Sequence, residues 1–142
     1  WEMKGVPVRV ELGPKDIQNN QCVLVRRDSG EKQCVSLDNV VKTVKDLLED
    51  IQSGLYSAAL ARQKEKTSVA YTMQEFSSQL KSNPGFIKAY WCEDRACEDA
   101  IKEQTGATLR CMPLHQEDIG GQHRCVCCGK EAHTMAYFAR AY

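Results

Sequence analysis

Gln21-Cys22-Val23-Leu24-Val25-Arg26-Arg27-Asp28-Ser29-Gly30-Glu31-Lys32-Gln33-Cys34-Val35-Ser36-Leu37 is the stretch that decides the fold class. Two largely apolar runs flank Asp28-Ser29-Gly30-Glu31, a tight-turn sequence, and are expected to pair as an antiparallel hairpin. With the turn centred on Ser29-Gly30, Val25 lies opposite Cys34 and Leu24 opposite Val35. Side chains alternate between the faces of a strand, so Cys22 and Cys34 point to opposite sides. That register forbids a bridge between them and leaves both as small buried hydrophobes. Apolar residues occupy both faces, which calls for cover on both sides and marks an α/β fold.

The chain on either side supplies that cover. Upstream, Val6 to Leu12 alternates apolar residues with Pro7, Arg9 and Glu11, a strand with one buried face, and Gly13-Pro14 stops it. Downstream, Asp38-Asn39 caps a helix whose apolar stripe is Val40, Val44, Leu47, Leu48, Ile51 and Leu55. The pattern continues past Gly54 to Lys66. Thr72 and Glu75 stand at capping-box spacing for a second helix, Met73 to Lys81, closed by Asn83-Pro84-Gly85.

The sequence changes character near residue 84. Phe86 to Trp91 reads as a strand delivering Cys92, and Glu93 to Ile101 as the opening of a helix that Thr105-Gly106 ends. Ala107 to Met112 is an expected strand, Pro113 to Arg124 a polar loop, Cys125 to Lys130 a knuckle and Ala132 to Tyr142 a last strand.

Composition narrows the function classes. At 42% hydrophobic and 27% charged, the 142 residues are neither disordered nor collagen-like. Apolar runs are far shorter than the roughly 20 residues that cross a bilayer. Basic and acidic residues balance at 19 each, so nucleic-acid binding has to come from a local arrangement of charge. Nothing at Trp1 resembles a signal peptide.

Eight cysteines are the compositional anomaly, and their spacing favours a metal over a disulfide framework. Cys92-x4-Cys97 and Cys125-x2-Cys128 are close pairs that two backbone turns can present to tetrahedral zinc. Cys127 leaves Cys125-x-Cys127 open as the second pair, although the two-residue gap before Gly129 closes a knuckle with less strain. No open coordination position is implied, so the expected zinc is structural. A redox CxxC belongs at a strand-to-helix junction, not in a late loop with a third thiol inside it. His115, His123 and His133 are expected to be solvated or hydrogen-bonded, and no catalytic triad, P-loop or dinucleotide fingerprint is present.

Glu11 to Asp16 and Arg26 to Lys32 carry carboxylates and guanidiniums together at a strand end and a hairpin tip. Unstacked guanines are read by such a mixture, because arginine donates to the Hoogsteen edge and a carboxylate accepts from the Watson–Crick N–H groups.

Trp1-Glu2-Met3-Lys4-Gly5-Val6-Pro7-Val8-Arg9-Val10-Glu11-Leu12-Gly13-Pro14-Lys15-Asp16 resembles the W-E-x-K-G-x-P-x-R-x-E-x-G-P-[RK]-D stretch of prolyl-tRNA synthetases of the archaeal/eukaryotic type. The resemblance continues through Val25 to Lys32, Cys92-x4-Cys97-Glu98, Thr108-x-Arg110-Cys111-x-Pro113, Cys125-Val126-x-Cys128-Gly129 and Phe138-Ala139-x-Ala141-Tyr142. It implies an anticodon-binding domain with a mixed sheet flanked by helices at 1–70, lacking its first strand and helix, and a small zinc-stapled α/β domain at 71–142. By match to the motifs, anticodon binding falls to Glu11, Lys15, Arg26, Arg27 and Lys32 and zinc to Cys92, Cys97, Cys125 and Cys128. Arg26 and Arg27 point to opposite faces, so both cannot read bases from one surface. The resemblance also implies that the carboxylate of Tyr142 faces the active site. It further implies a cytoplasmic, dimeric parent ligase acting on proline tRNA, with ATP and magnesium bound in a catalytic domain outside this segment. The chain is thus expected to be inactive alone and to be the C-terminal part of a larger enzyme. The competing expectation is a free-standing zinc-containing module for RNA or protein interaction.

Overall fold

A computed structural model describes residues 1–141, and the expectation for Tyr142 lies outside the described residues. Contacts divide the chain into two units, Trp1–Leu60 and Ala61–Tyr142.

In the first unit, β1 (Val8–Glu11), β2 (Gln21–Arg26) and β3 (Lys32–Ser36) form an antiparallel sheet in the order β1-β2-β3. A short helix, α1 (Pro14–Gln18), follows Gly13 where the sequence showed only a stop, and Pro14 takes the first-turn position that needs no N–H. The hairpin register differs from expectation by two residues: Val23 pairs with Cys34, Leu24 with Gln33 and Val25 with Lys32. Arg26 N donates to Glu31 O at 2.9 Å and Gly30 N to Arg26 O at 3.0 Å, which centres the turn on Asp28-Ser29 instead of Ser29-Gly30. A shift of two preserves face parity, so Cys22 and Cys34 still point to opposite sides. Cys22 is fully buried, but Cys34 is exposed, contrary to expectation. Its face also carries Arg9, Glu11 and Lys32 and is largely open to solvent.

The helix α2 (Val40–Glu65) runs unbroken through Gly54, as its apolar period requires. Its stripe is only partly covered: Ile51 is buried, whereas Leu48 and Leu55 remain 41% and 48% exposed. Length explains this correction. Twenty-six residues extend about 39 Å, while strands of four to six residues extend at most about 20 Å.

The second unit has β4 (Thr67–Val69), α3 (Met73–Ser82), β5 (Phe86–Trp91), α4 (Arg95–Thr105), β6 (Ala107–Cys111) and β7 (Thr134–Arg140). Its mixed sheet has the order β4-β5-β7-β6, with β4 and β5 parallel and the other pairs antiparallel. Thr72 caps α3 through Oγ1, which accepts from Glu75 N at 3.2 Å. The Glu75 carboxylate turns back to accept from Tyr71 N. One face of the sheet carries Ile87 and Phe138, and Phe76 of α3 meets Phe138 edge-on with ring centroids 5.6 Å apart. Lys88 and Tyr90 lie on the other face. The polar loop folds over it, with Glu117 on Lys88, Asp118 on Tyr90 and Gln116 Oε1 accepting from Met135 N. The protein is thus α/β with a mixed sheet and helices, and no helix among the described residues is long and apolar enough to cross a membrane.

Candidate metal centre and nucleic-acid interface

Four cysteines from three places in the second unit meet at one point. β5 ends at Trp91 and hands over Cys92 directly, while Cys97 sits in the first turn of α4, whose N-cap Asp94 accepts from Ala96 N at 2.9 Å. Helix α4 (Arg95–Thr105) therefore opens two residues later than expected. Glu93 precedes its cap with φ +64 and its carboxylate accepts from Thr134 Oγ1. Cys125 and Cys128 come from the knuckle, closed by Gly129 N on Cys125 O at 2.9 Å and Cys125 N on Lys130 O at 2.7 Å. Val126 N donates to Tyr90 O at 2.9 Å and pins the knuckle to β5. Both turns reverse the chain through a left-handed residue just after a cysteine, Glu93 after Cys92 and Gly129 after Cys128. The sequence signalled the glycine but not the glutamate.

The four sulfurs all lie within 4.8 Å of one another. Cys92 Sγ is 3.6 Å from Cys97 Sγ and 3.7 Å from Cys128 Sγ. A zinc–sulfur bond of about 2.3 Å in tetrahedral geometry needs sulfur–sulfur edges of about 3.8 Å. The cluster can therefore hold a zinc ion with little rearrangement. Cys127 is not among the four converging sulfurs. Burial pushes the thiols of Cys97 and Cys92 upward, while the Lys130 backbone N–H brings Cys128 down to about 7. A partly buried thiol cluster resists carrying several negative charges by itself, and a divalent cation removes that penalty. The histidines stand apart from this centre. His123 lies against Tyr90, 3.4 Å from Asp118 Oδ1, and His133 is 3.2 Å from Glu131.

The first unit carries a different chemistry on its open face. Cross-strand register puts Arg9, Val25 and Lys32 in one row and Glu11, Val23 and Cys34 in the next. Arg9 Nε donates to Glu11 Oε1 at 2.9 Å, its Nη2 lies 2.8 Å from the same oxygen, and its Nη1 lies 3.6 Å from Glu2. Glu11 Oε2 makes no hydrogen bond or ion pair among the described residues. Arg9 was not singled out in the sequence, although two charged residues two apart on a strand necessarily share a face. Lys15 is exposed in the first turn of α1, and Arg27 is exposed at the start of the hairpin loop. Arg26 and Arg27 also line, with Trp1, Glu2, Val6 and Arg9, a pocket of about 40 Å³.

Arg26 behaves differently from the other four. It points to the opposite face, its side chain is 17% exposed, and it is taken up by Asp28 and Asp50.

Residues 73–142 match the family model described as "Prolyl-tRNA synthetase, C-terminal", and residues 1–47 match "Anticodon binding domain". The chain belongs to the prolyl-tRNA synthetase family. It is 53% identical over all 142 residues to a proline–tRNA ligase of Ruminiclostridium cellulolyticum. Over the same length it is 54% identical to one of Clostridium botulinum strain 657 and 51% identical to one of Alkaliphilus oremlandii. It spans 29% of the length of each of these curated relatives. The open charged face thus lies within the anticodon-binding match and the thiol cluster within the C-terminal match.

Proposed function

We propose that the chain is the anticodon-reading and zinc-stabilised portion of a ligase that joins proline to its tRNA at the expense of ATP. The observation that carries this reading is the open sheet face, where Arg9, Glu11 and Lys32 stand together inside an anticodon-binding match. Glu11 has one oxygen held by Arg9 and the other free to accept from a guanine Watson–Crick N–H. Lys32, Lys15 and Arg27 supply positive charge for neighbouring phosphates. A structural zinc on Cys92, Cys97, Cys125 and Cys128 staples the second unit, and no step of the reaction passes through it. ATP and magnesium act in a catalytic domain outside these residues. The parent works in the cytoplasm as a homodimer.

The test is binding of a proline tRNA transcript, and of one altered at a single anticodon guanine, by the full-length protein. Lys32→Ala should weaken both equally and lower the salt dependence by about one charge. No change for either transcript would refute the assignment of this face.

A further inference from the structure

All three guanidinium nitrogens of Arg26 donate inside the protein. Nε donates to Asp28 Oδ1 at 3.1 Å, Nη2 to Asp28 Oδ2 at 2.9 Å and Nη1 to Asp50 Oδ2 at 2.5 Å. Asp28 lies in the hairpin loop and Asp50 on α2, so one guanidinium joins the loop to the helix beneath the sheet. The loop has little else to hold it. Its backbone is closed by Arg26 N to Glu31 O and Gly30 N to Arg26 O, and Asp28 Oδ1 also accepts from Ser29 N at 3.0 Å. Arg27 N donates to Pro7 O at 3.0 Å, which ties the loop's first residue to the segment before β1. Two carboxylates around one guanidinium leave a local surplus of negative charge. A phosphate would have to break two ion pairs to reach Arg26.

We propose that Arg26 is a positioning residue: with Asp50 it clamps the hairpin loop to α2 and so fixes Arg27 and Lys32 in the arrangement that meets RNA. This rests on the open-face reading above. It also assigns different work to two adjacent arginines, the first to architecture and the second to the ligand. Lysine cannot replace the first, because a single ammonium has no fork with which to grip Asp28 and Asp50 together.

The experiment uses the full-length protein, the proline tRNA transcript and its one-guanine variant. Because Arg27 and Lys32 meet phosphates, Asp50→Asn should weaken binding of both transcripts alike by about two- to fivefold, the scale of a partly exposed charged contact, with the salt slope unchanged. Asp50→Glu should restore most of the binding. Without RNA, amide exchange of residues 28–31 should be faster in Asp50→Asn and Arg26→Lys than in the parent. Unaltered exchange would overturn the clamp. Tighter binding of both transcripts by Asp50→Asn, or a salt slope lowered by about one in Arg26→Ala, would make Arg26 a phosphate contact and overturn the positioning role. Arg27→Ala and Lys32→Ala test the underlying reading separately. If both leave tRNA binding intact while exchange still rises in Asp50→Asn, the open-face reading fails, and the clamp is architecture without an RNA role.

Discussion

Gly129→Ala isolates a single physical cost at the metal centre. Gly129 has φ +70, a left-handed conformation in which an L side chain crowds the following carbonyl. A Cβ built on it would meet nothing within 4 Å, so the substitution brings no clash with the knuckle or its sulfurs. The cost is therefore the backbone term alone, about 1–2 kcal/mol. Metal binding requires the knuckle in this conformation, since Gly129 N closes it on Cys125 O. The same free energy should appear as zinc affinity lowered by about 5- to 30-fold. Competition of the protein with a zinc chelator of known affinity measures it. D-Alanine introduced at position 129 by semisynthesis should bind zinc like the parent, because its mirror-image centre favours positive φ. Unchanged affinity for the L-alanine protein, or the same loss with D-alanine, would refute the reasoning.

Elemental analysis should find one zinc per chain, lost in Cys128→Ser and kept in Cys127→Ser and Cys22→Ser, because only Cys128 of these three belongs to the converging sulfurs. Phe138→Ala should destabilise the second unit by about 3–5 kcal/mol in urea unfolding, since the ring is fully buried against Phe76. Hydrogen bonding from Arg26 holds the Asp28 carboxyl below its usual value, so the clamp's stabilisation is complete above about pH 4 and lost as pH falls through the depressed value. The Asp28 carboxyl carbon should accordingly titrate below about 3.9 by NMR, and its midpoint should rise toward that value in Arg26→Gln.

Much of the second unit was legible because its signals are local. Phe86–Trp91 was bounded by Gly85 and Cys92, and helix α3 by a threonine cap, so chain chemistry alone placed them. Paired spacing likewise predicted the sulfurs that converge. What escaped depended on tertiary company. β4 has three residues, too few to show a sequence period, and is held by parallel pairing to β5 and by Gln79 Nε2 donating to Val69 O. Glu93 adopts a glycine-like conformation because the turn into α4 demands it. Cys34 is apolar and lies in a strand, yet its face carries charge, and no alternation pattern tells a covered face from an open one. Adjacency in sequence gave Arg26 and Arg27 opposite faces, but only the position of Asp50 on α2 showed which of them is taken up internally.

The most direct test of the central claim is Glu11→Gln in the full-length protein, assayed for aminoacylation of proline tRNA and of a transcript altered at one anticodon guanine. Glutamine keeps the shape and removes the carboxylate that accepts from guanine. The expected result is a higher KM for the proline tRNA and a preference over the altered transcript reduced by about 1–3 kcal/mol, roughly 5- to 150-fold. Equal losses on both transcripts would contradict it, and would make Glu11 only the partner that Arg9 needs.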